Sequence, residues 1–374
     1  MNILRYPDKK EWSSLLQRPV LNHQVLEEQV QQIIQDVAAR GDSAVINYTR
    51  KFDGFDAESL EASAEEIQLS KKEVSRELQK AIEGARWNIQ TFHKKQVQPQ
   101  GIVVTTAGVR CWQKPVPISK VGLYIPGGSA PLLSTVLMLG IPAKIAGCQQ
   151  VVLCTPPDRH GKVSPSILYI ASLLGIDRVF KVGGVQAIAA MAHGTETIPK
   201  VNKIFGPGNQ YVTMAKQIVS RDTVAIDMPA GPSELAVLAD ATSNPAFIAS
   251  DLLSQAEHGP DSQVLLISDS GHMIDRVKEE LQKQLALLPR KEIATKALSN
   301  SKMILLKNQD EMMEMVNDYA PEHLIIVTDN FSELADRVVN AGSVFLGDYT
   351  PESAGDYASG TNHTLPTNGW AAAY

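Results

Sequence analysis

Val121-Gly122-Leu123-Tyr124-Ile125-Pro126-Gly127-Gly128 is an apolar run cut off by a proline and two glycines. Its length suits a buried strand, and Pro-Gly-Gly is turn chemistry. Outward from it the same unit recurs. A helical stretch over 132–146 stops at Gly147, and 151–154 is the next apolar run. A helix over 166–174 is closed by Gly175, a strand at 179–182 runs into Gly183-Gly184, and a helix covers 187–193. Lys203-Ile204-Phe205 leads into Gly206-Pro207-Gly208-Asn209 and another helix. Strand, glycine turn and helix at this spacing predict βαβ units around a parallel sheet.

A second α/β series follows. Strands are expected at 235–238, 264–267, 304–306, 324–328 and 344–346, with helices at 272–288, 312–319 and 331–341 between them. One more helix starts at Pro245, where Asn244 can cap it, and Gly259-Pro260 stops it. Before the first series, residues 21–100 are rich in Glu, Gln, Lys and Ala. Apolar residues at three- and four-residue spacing predict helices over 25–38 and 71–92.

Composition narrows the function classes. The chain has 374 residues, 44% hydrophobic, and a net charge of −6. Mild acidity argues against a nucleic-acid or membrane-surface role. No apolar run reaches the roughly 18 residues of a membrane span, and the N-terminus lacks a signal-peptide core. Cys111, Cys148 and Cys154 read as reduced thiols of a cytoplasmic enzyme, the last two as core residues. His23, His93, His160 and His272 sit in polar surroundings and read as surface residues, while His193 reads as packing.

The loops at Pro126-Gly127-Gly128-Ser129, Gly183-Gly184 and Gly206-Pro207-Gly208-Asn209 lie at strand ends, where open parallel sheets bind ligands. Glycine there admits a phosphate and helix N-termini favour anions, although each loop alone is also an ordinary βα turn. The strict G-x-G-x-x-G fingerprint is absent. Ser254-Gln255-Ala256-Glu257-His258-Gly259-Pro260-Asp261 puts an amide and an imidazole three residues apart, on one face if helical. With Asp356 in the stretch 353–363, such N and O donors suit zinc or a similar ion. Glu322-His323 stands just before a strand, either as a solvated strand start or as an acid–base pair.

These stretches, with Asp227-Met228-Pro229-Ala230-Gly231-Pro232-Ser233-Glu234 and 347–366, resemble the bacterial histidinol dehydrogenases from about residue 20 to 374. The resemblance implies oxidation of L-histidinol through L-histidinal to L-histidine with two NAD, the last steps of histidine biosynthesis. It implies one Zn²⁺ per subunit held by Gln255, His258 and Asp356, and a catalytic pair Glu322 and His323. Ser233 and His363 match substrate-pocket positions, with Gln255, His258, His323 and Asp356 also facing substrate. Tyr124, Gln186 and Asn209 match NAD contacts. The family is implied to be a homodimer whose C-terminal tail, beyond the position of Tyr374, supplies a Glu and a zinc-binding His to the partner subunit.

The expected fold is therefore α/β, with two Rossmann-like domains of parallel sheets flanked by helices and an N-terminal helical arm. The expected domains are an arm at 1–20, a discontinuous domain of 21–123 and 233–374 carrying metal and catalytic residues, and an inserted NAD-side domain at 124–232. Two other readings are a zinc hydrolase using Glu322 as base and a binding protein without catalysis.

Overall fold

Apolar runs buried on both faces belong in parallel sheets, and both strand series build one. The computed structural model describes residues 1–19, 23–56, 59–97, 101–127 and 132–374. The chain opens with β1 (Asn2–Arg5), α1 (Trp12–Leu15), α2 (His23–Arg40), α3 (Asp42–Asp53), α4 (Ala64–Glu73) and α5 (Arg76–Lys94). An exposed antiparallel hairpin, β2 (Val103–Thr106) and β3 (Val109–Cys111), comes next. The first βα series is β4 (Lys120–Tyr124), α6 (Leu133–Ala146), β5 (Gln150–Thr155), α7 (Pro165–Leu173), β6 (Arg178–Lys181), α8 (Gly184–His193), β7 (Lys203–Phe205), α9 (Gln210–Val219) and β8 (Ala225–Ile226). The second begins with β9 (Glu234–Ala239), α10 (Pro245–Ala256), β10 (Gln263–Ser268), α11 (Gly271–Leu287) and α12 (Lys291–Ser299). It ends with β11 (Lys302–Leu305), α13 (Gln309–Tyr319), β12 (His323–Ile326), α14 (Phe331–Ala335), β13 (Ser343–Leu346) and α15 (Ala354–Tyr357).

The five-stranded sheet runs β6-β5-β4-β7-β8 and the six-stranded sheet β1-β11-β10-β9-β12-β13, all strands parallel. Leaving β1 aside, the two orders are the same doubly wound order, reversing between β4 and β7 in one sheet and between β9 and β12 in the other. Each sheet is sandwiched between two apolar layers. Along β9, Leu235, Val237 and Ala239 face one layer while Ala236 and Leu238 face the other. Caps set the helix starts. Ser63 and Glu66 form a capping box on α4, and Asn209 and Asn244 cap α9 and α10 as N-terminal acceptors.

Three expectations change. The helix over 71–92 is two helices, because Ser75 leaves the helical path and caps α5 through the Leu78 amide. The helix over 331–341 stops at Ala335. The segment expected as an N-terminal arm is tied to the six-stranded sheet: β1 pairs with β11 as an edge strand, and Trp12 and Leu16 are buried in the same apolar layer as residues of α13. The helices between 23 and 94 pack on those of the five-stranded sheet, α2 and α3 on α8, α4 on α7 and α5 on α6. We propose that 1–19 with 233–374 form one unit and 23–232 the other. The expected turn residues Gly128 and Ser129 lie outside the described residues.

Candidate active site

The two sheets face one cleft of about 1720 Å³. The five-stranded sheet presents the carboxyl ends of its strands, with Tyr124, Gly184, Gln186 and Asn209 on that wall. The six-stranded sheet presents the amino ends of β9 and β12 and the C-terminal end of α10, with Ser233, His258, Glu322, His323, Glu352 and His363. Residues widely separated in sequence thus line one space.

On the first wall, Tyr124 is buried and its hydroxyl accepts a hydrogen bond from the Gly184 amide at 3.1 Å. Burial pushes that phenol up to about 12, so it stays protonated with a hydrogen to donate. Gln186, in the first turn of α8, is buried and neither of its amide atoms has a partner. Asn209 uses its oxygen to cap α9 through the Val212 amide at 3.1 Å, leaving its NH₂ for the cleft. Gly206 has φ +128° and a Cβ there would stand 2.1 Å from the Tyr124 carbonyl oxygen, so only glycine lets the two strand ends meet. Orphaned amide groups, a closely approached backbone and helix N-termini fit a dinucleotide.

The second wall holds the chemistry. His323 is buried at the start of β12, and its Nδ1 lies 3.3 Å from the Glu234 carbonyl oxygen and 3.6 Å from Glu322 Oε2. A carbonyl can only accept, so Nδ1 carries the proton and Nε2 presents its lone pair. Nε2 makes no hydrogen bond and lies 3.5 Å from Glu352 Oε1. Burial lowers the imidazole to about 3, which keeps it neutral. Glu322 Oε2 accepts the Glu234 amide at 3.0 Å, and burial raises the Glu322 carboxyl well above its usual range. Glu234 therefore holds both members of the expected pair through its main chain.

Gln255 lies in the last turn of α10, and His258 comes just after the helix, its amide turning back to the Gln255 carbonyl at 3.2 Å. The helix ends at Ala256, so the pair straddles its C-terminal turn. Ser233 Oγ and His258 Nδ1 are 3.1 Å apart, which leaves Nε2 as the free ligand atom. His258 is lowered from its ordinary value by desolvation, with Asp356 opposing. Gln255 is fully buried beside Glu352, yet neither amide atom completes a hydrogen bond. Asp356 is instead paired with His363 Nδ1, and His363 Nε2 reaches Thr135 on α6 at 3.3 Å. Among the described residues no three His, Cys, Asp or Glu side chains group as a metal cage. The donor set fits a zinc-like ion by chemistry, with an orphaned amide oxygen, an open imidazole nitrogen and a carboxylate, but it supplies three donors only.

Sequence reasoning missed Glu352, Asp251 and Asp348. Burial raises Glu352 and Asp251 each to about 7, and Asp348 Oδ1 is buried without a partner. The four-residue spacing of Asp348, Glu352 and Asp356 was the available signal. His93, expected at the surface, is buried and bonded to Gln96 at 2.7 Å. Cys154 is buried as expected, Cys148 only half-buried.

Residues 16–374 match the Histidinol dehydrogenase family. The chain is 61% identical over 374 residues to the histidinol dehydrogenase of Bacteroides thetaiotaomicron, covering 100% of this chain and 87% of that protein. The chain belongs to the histidinol dehydrogenase family. It is 55% identical over 361 residues to the Escherichia coli K12 protein of that name, covering 96% of this chain and 82% of the other. The crystal structure of histidinol dehydrogenase from Elizabethkingia anophelis superposes with a TM-score of 0.96 at 52% identity, covering 100% of this chain and 86% of that one. That match bears out the expected α/β fold, and the family makes the chain an oxidoreductase of histidine biosynthesis. No helix among the described residues is long and apolar enough to cross a membrane.

Proposed function

We propose that this chain oxidises L-histidinol through L-histidinal to L-histidine with two NAD, in the cytoplasm. The observation that carries the reading is the neutral His323, its Nε2 unbonded and open to a cleft whose opposite wall suits a dinucleotide. His323 Nε2 takes the alcohol proton while the C–H electrons leave as hydride. A nitrogen this weakly basic needs help, and Glu352 and Glu322, at 3.5 Å and 3.6 Å from its two nitrogens, stabilise the imidazolium as it forms. Glu322, whose carboxylate burial makes a stronger base, then takes a proton from the water that hydrates the aldehyde. The imidazolium gives its proton to the aldehyde oxygen as the water adds, and the neutral His323 then takes a proton from the hydrate as the second hydride leaves.

Tyr124, Gln186 and Asn209 would hold NAD, which accepts the hydride at each step. Gln255, His258 and Asp356 would hold one zinc, which supplies a fixed positive charge to anchor the substrate's nitrogens. Ser233 and His363 complete the substrate pocket. In the assembled homodimer a partner's C-terminal segment completes the metal site.

The direct test adds histidinol and NAD⁺ to the zinc-loaded protein and follows absorbance of NADH. Two NADH per histidinol are expected, and no NADH would overturn the reading. Ligation has its own readout. His258→Asn is expected to lose zinc on dialysis; stoichiometric zinc retained would remove His258 from the ligand set.

A further inference from the structure

We infer that Arg18, outside both sheets, is a positioning residue that clamps the starts of β9 and β12 and thereby aims Glu322 and His323. This rests on the reading of those two as the catalytic pair. Four observations join. Arg18 meets the Glu234 carboxylate with two parallel bonds, Nε to Oε1 and Nη2 to Oε2, each 2.9 Å. The same Nη2 donates to the Tyr319 carbonyl at 2.6 Å and lies 3.4 Å from that of Ala320. Its guanidinium lies over the Tyr319 ring, 4.0 Å from the centroid. Ala320, two residues before Glu322, is held at φ +48°, a backbone conformation a residue with a Cβ adopts only when its surroundings impose it.

Both ends of this clamp lead to the reacting groups. Glu234 gives its amide to Glu322 and its carbonyl to His323 Nδ1, so its position fixes the direction of one and the tautomer of the other. The Tyr319–Ala320 turn sets where β12, and so His323, begins. Arg18 in turn is fixed from outside, because Trp12 and Leu16 are buried in the core beside α13. A planar fork suits this place: lysine carries the charge but cannot give the carboxylate two parallel N–H bonds from separate nitrogens. Behind the clamp a side cavity of about 60 Å³, bordered by Arg18, Pro232, Glu234, Gln263 and Asn368, gives small molecules a way in.

The test uses the zinc-loaded enzyme with Arg18→Ala and Arg18→Lys. In Arg18→Ala, kcat for histidinol is expected to fall about ten- to hundredfold, the scale of a misplaced catalytic group. KM for histidinol and NAD and the zinc content should change little, because the metal ligands and the NAD wall do not touch the clamp. Guanidinium at non-denaturing concentration should restore much of the lost rate in Arg18→Ala, while sodium chloride at equal ionic strength should not. Arg18→Lys should lose less and gain nothing from guanidinium. A purely structural arginine would lower the melting temperature and leave kcat per folded enzyme unchanged; that result, in either variant, overturns the proposal. If Arg18→Ala does not fold, Arg18→Lys decides alone, and wild-type kcat there overturns it. His323→Ala run in parallel separates the two readings. An active His323→Ala sinks the catalytic assignment itself, whereas an inactive one beside normal Arg18 variants sinks only the clamp.

Discussion

The two sheets share one strand order and turn opposite ends to the same cleft. The five-stranded sheet offers carboxyl ends, where α8 and α9 begin and their free amides point outward. Helix N-termini carry partial positive charge and suit phosphates. The six-stranded sheet offers amino ends, next to the last turn of α10, where carbonyls point outward. Helix C-termini favour cations, and there lie Gln255, His258 and the carboxylates of Glu322, Glu352 and Asp356. One fold used twice yields an anion-favouring wall and a cation-favouring wall, simply by which strand ends face inward.

Breaking the charged wall should cost most. His323→Ala removes a buried imidazole whose Nε2 makes no hydrogen bond and whose side chain lines the cleft, and loss of a general base costs about 10²–10⁴ in rate. Steady-state kcat with histidinol checks this, and near-normal turnover would dissolve the assigned difference between the walls. Glu322→Gln sharpens it. Only the aldehyde step needs an activated water, so turnover of histidinal should suffer more than that of histidinol. Equal losses would argue against that division.

Breaking the other wall should cost less and show in a different constant. Gly206→Ala forces a Cβ to 2.1 Å from the Tyr124 carbonyl at φ +128°. The turn must shift, at about 1–3 kcal/mol of strain, and with it Tyr124 and Asn209. The NAD KM is expected to rise about tenfold, since about 1.4 kcal/mol is tenfold in affinity, with zinc content unchanged. Zinc lost together with NAD affinity would mean that the walls are not separable. The Gly206 carbonyl also accepts from Lys216 at 2.7 Å, and Lys216 pairs with Asp227 in the core, so some loss of stability accompanies the change.

Local signals made much of this legible. The strands of both sheets are continuous apolar runs, and the glycine turns that end β4, β6 and β7 are explicit in the chain. Glu322-His323 and Gln255-x-x-His258 are also local, and the structure brings all four to one cleft wall or its backing. What stayed hidden depends on distant partners. The β1 strand pairs Asn2 with Lys302, and no pattern near Asn2 announces that neighbour. The amphipathic faces of α2–α5 show that they pack, not on which sheet. His93 sits among polar residues and is buried because Asn362 covers it from another part of the chain, with Nδ2 at 3.4 Å. Glu352 and Arg18 look like surface charges until tertiary structure encloses them. Nor can a strand sequence say which of its ends will face a cleft.

The smallest predicted effect concerns two buried carboxylates, one in each unit. Asp227 of the five-stranded unit is neutralised by pairing with Lys216. The six-stranded unit leaves Asp251 buried, with Asp348 and Glu352 nearby and no cation on it. Desolvation, then repulsion from Asp348, raises Asp251 from 3.8 to about 7. A folded-state pKa above the unfolded one means stability that is whole below about 3.8 and lost as pH rises through about 7. Asp251→Asn cannot ionise and should not share that loss. The shift sets a ceiling of about 4 kcal/mol, and relaxation with water entry brings the expected gain to about 1–2 kcal/mol. Relative to wild type, the variant should therefore gain a few degrees in melting temperature between about pH 5 and about pH 8. Taking the difference between variant and wild type at each pH cancels the groups that do not feel Asp251, and Glu352, which does, is relieved in the same direction. An unchanged difference would mean that Asp251 is ionised and compensated, as Asp227 is, and the contrast between the two units would fail at that point.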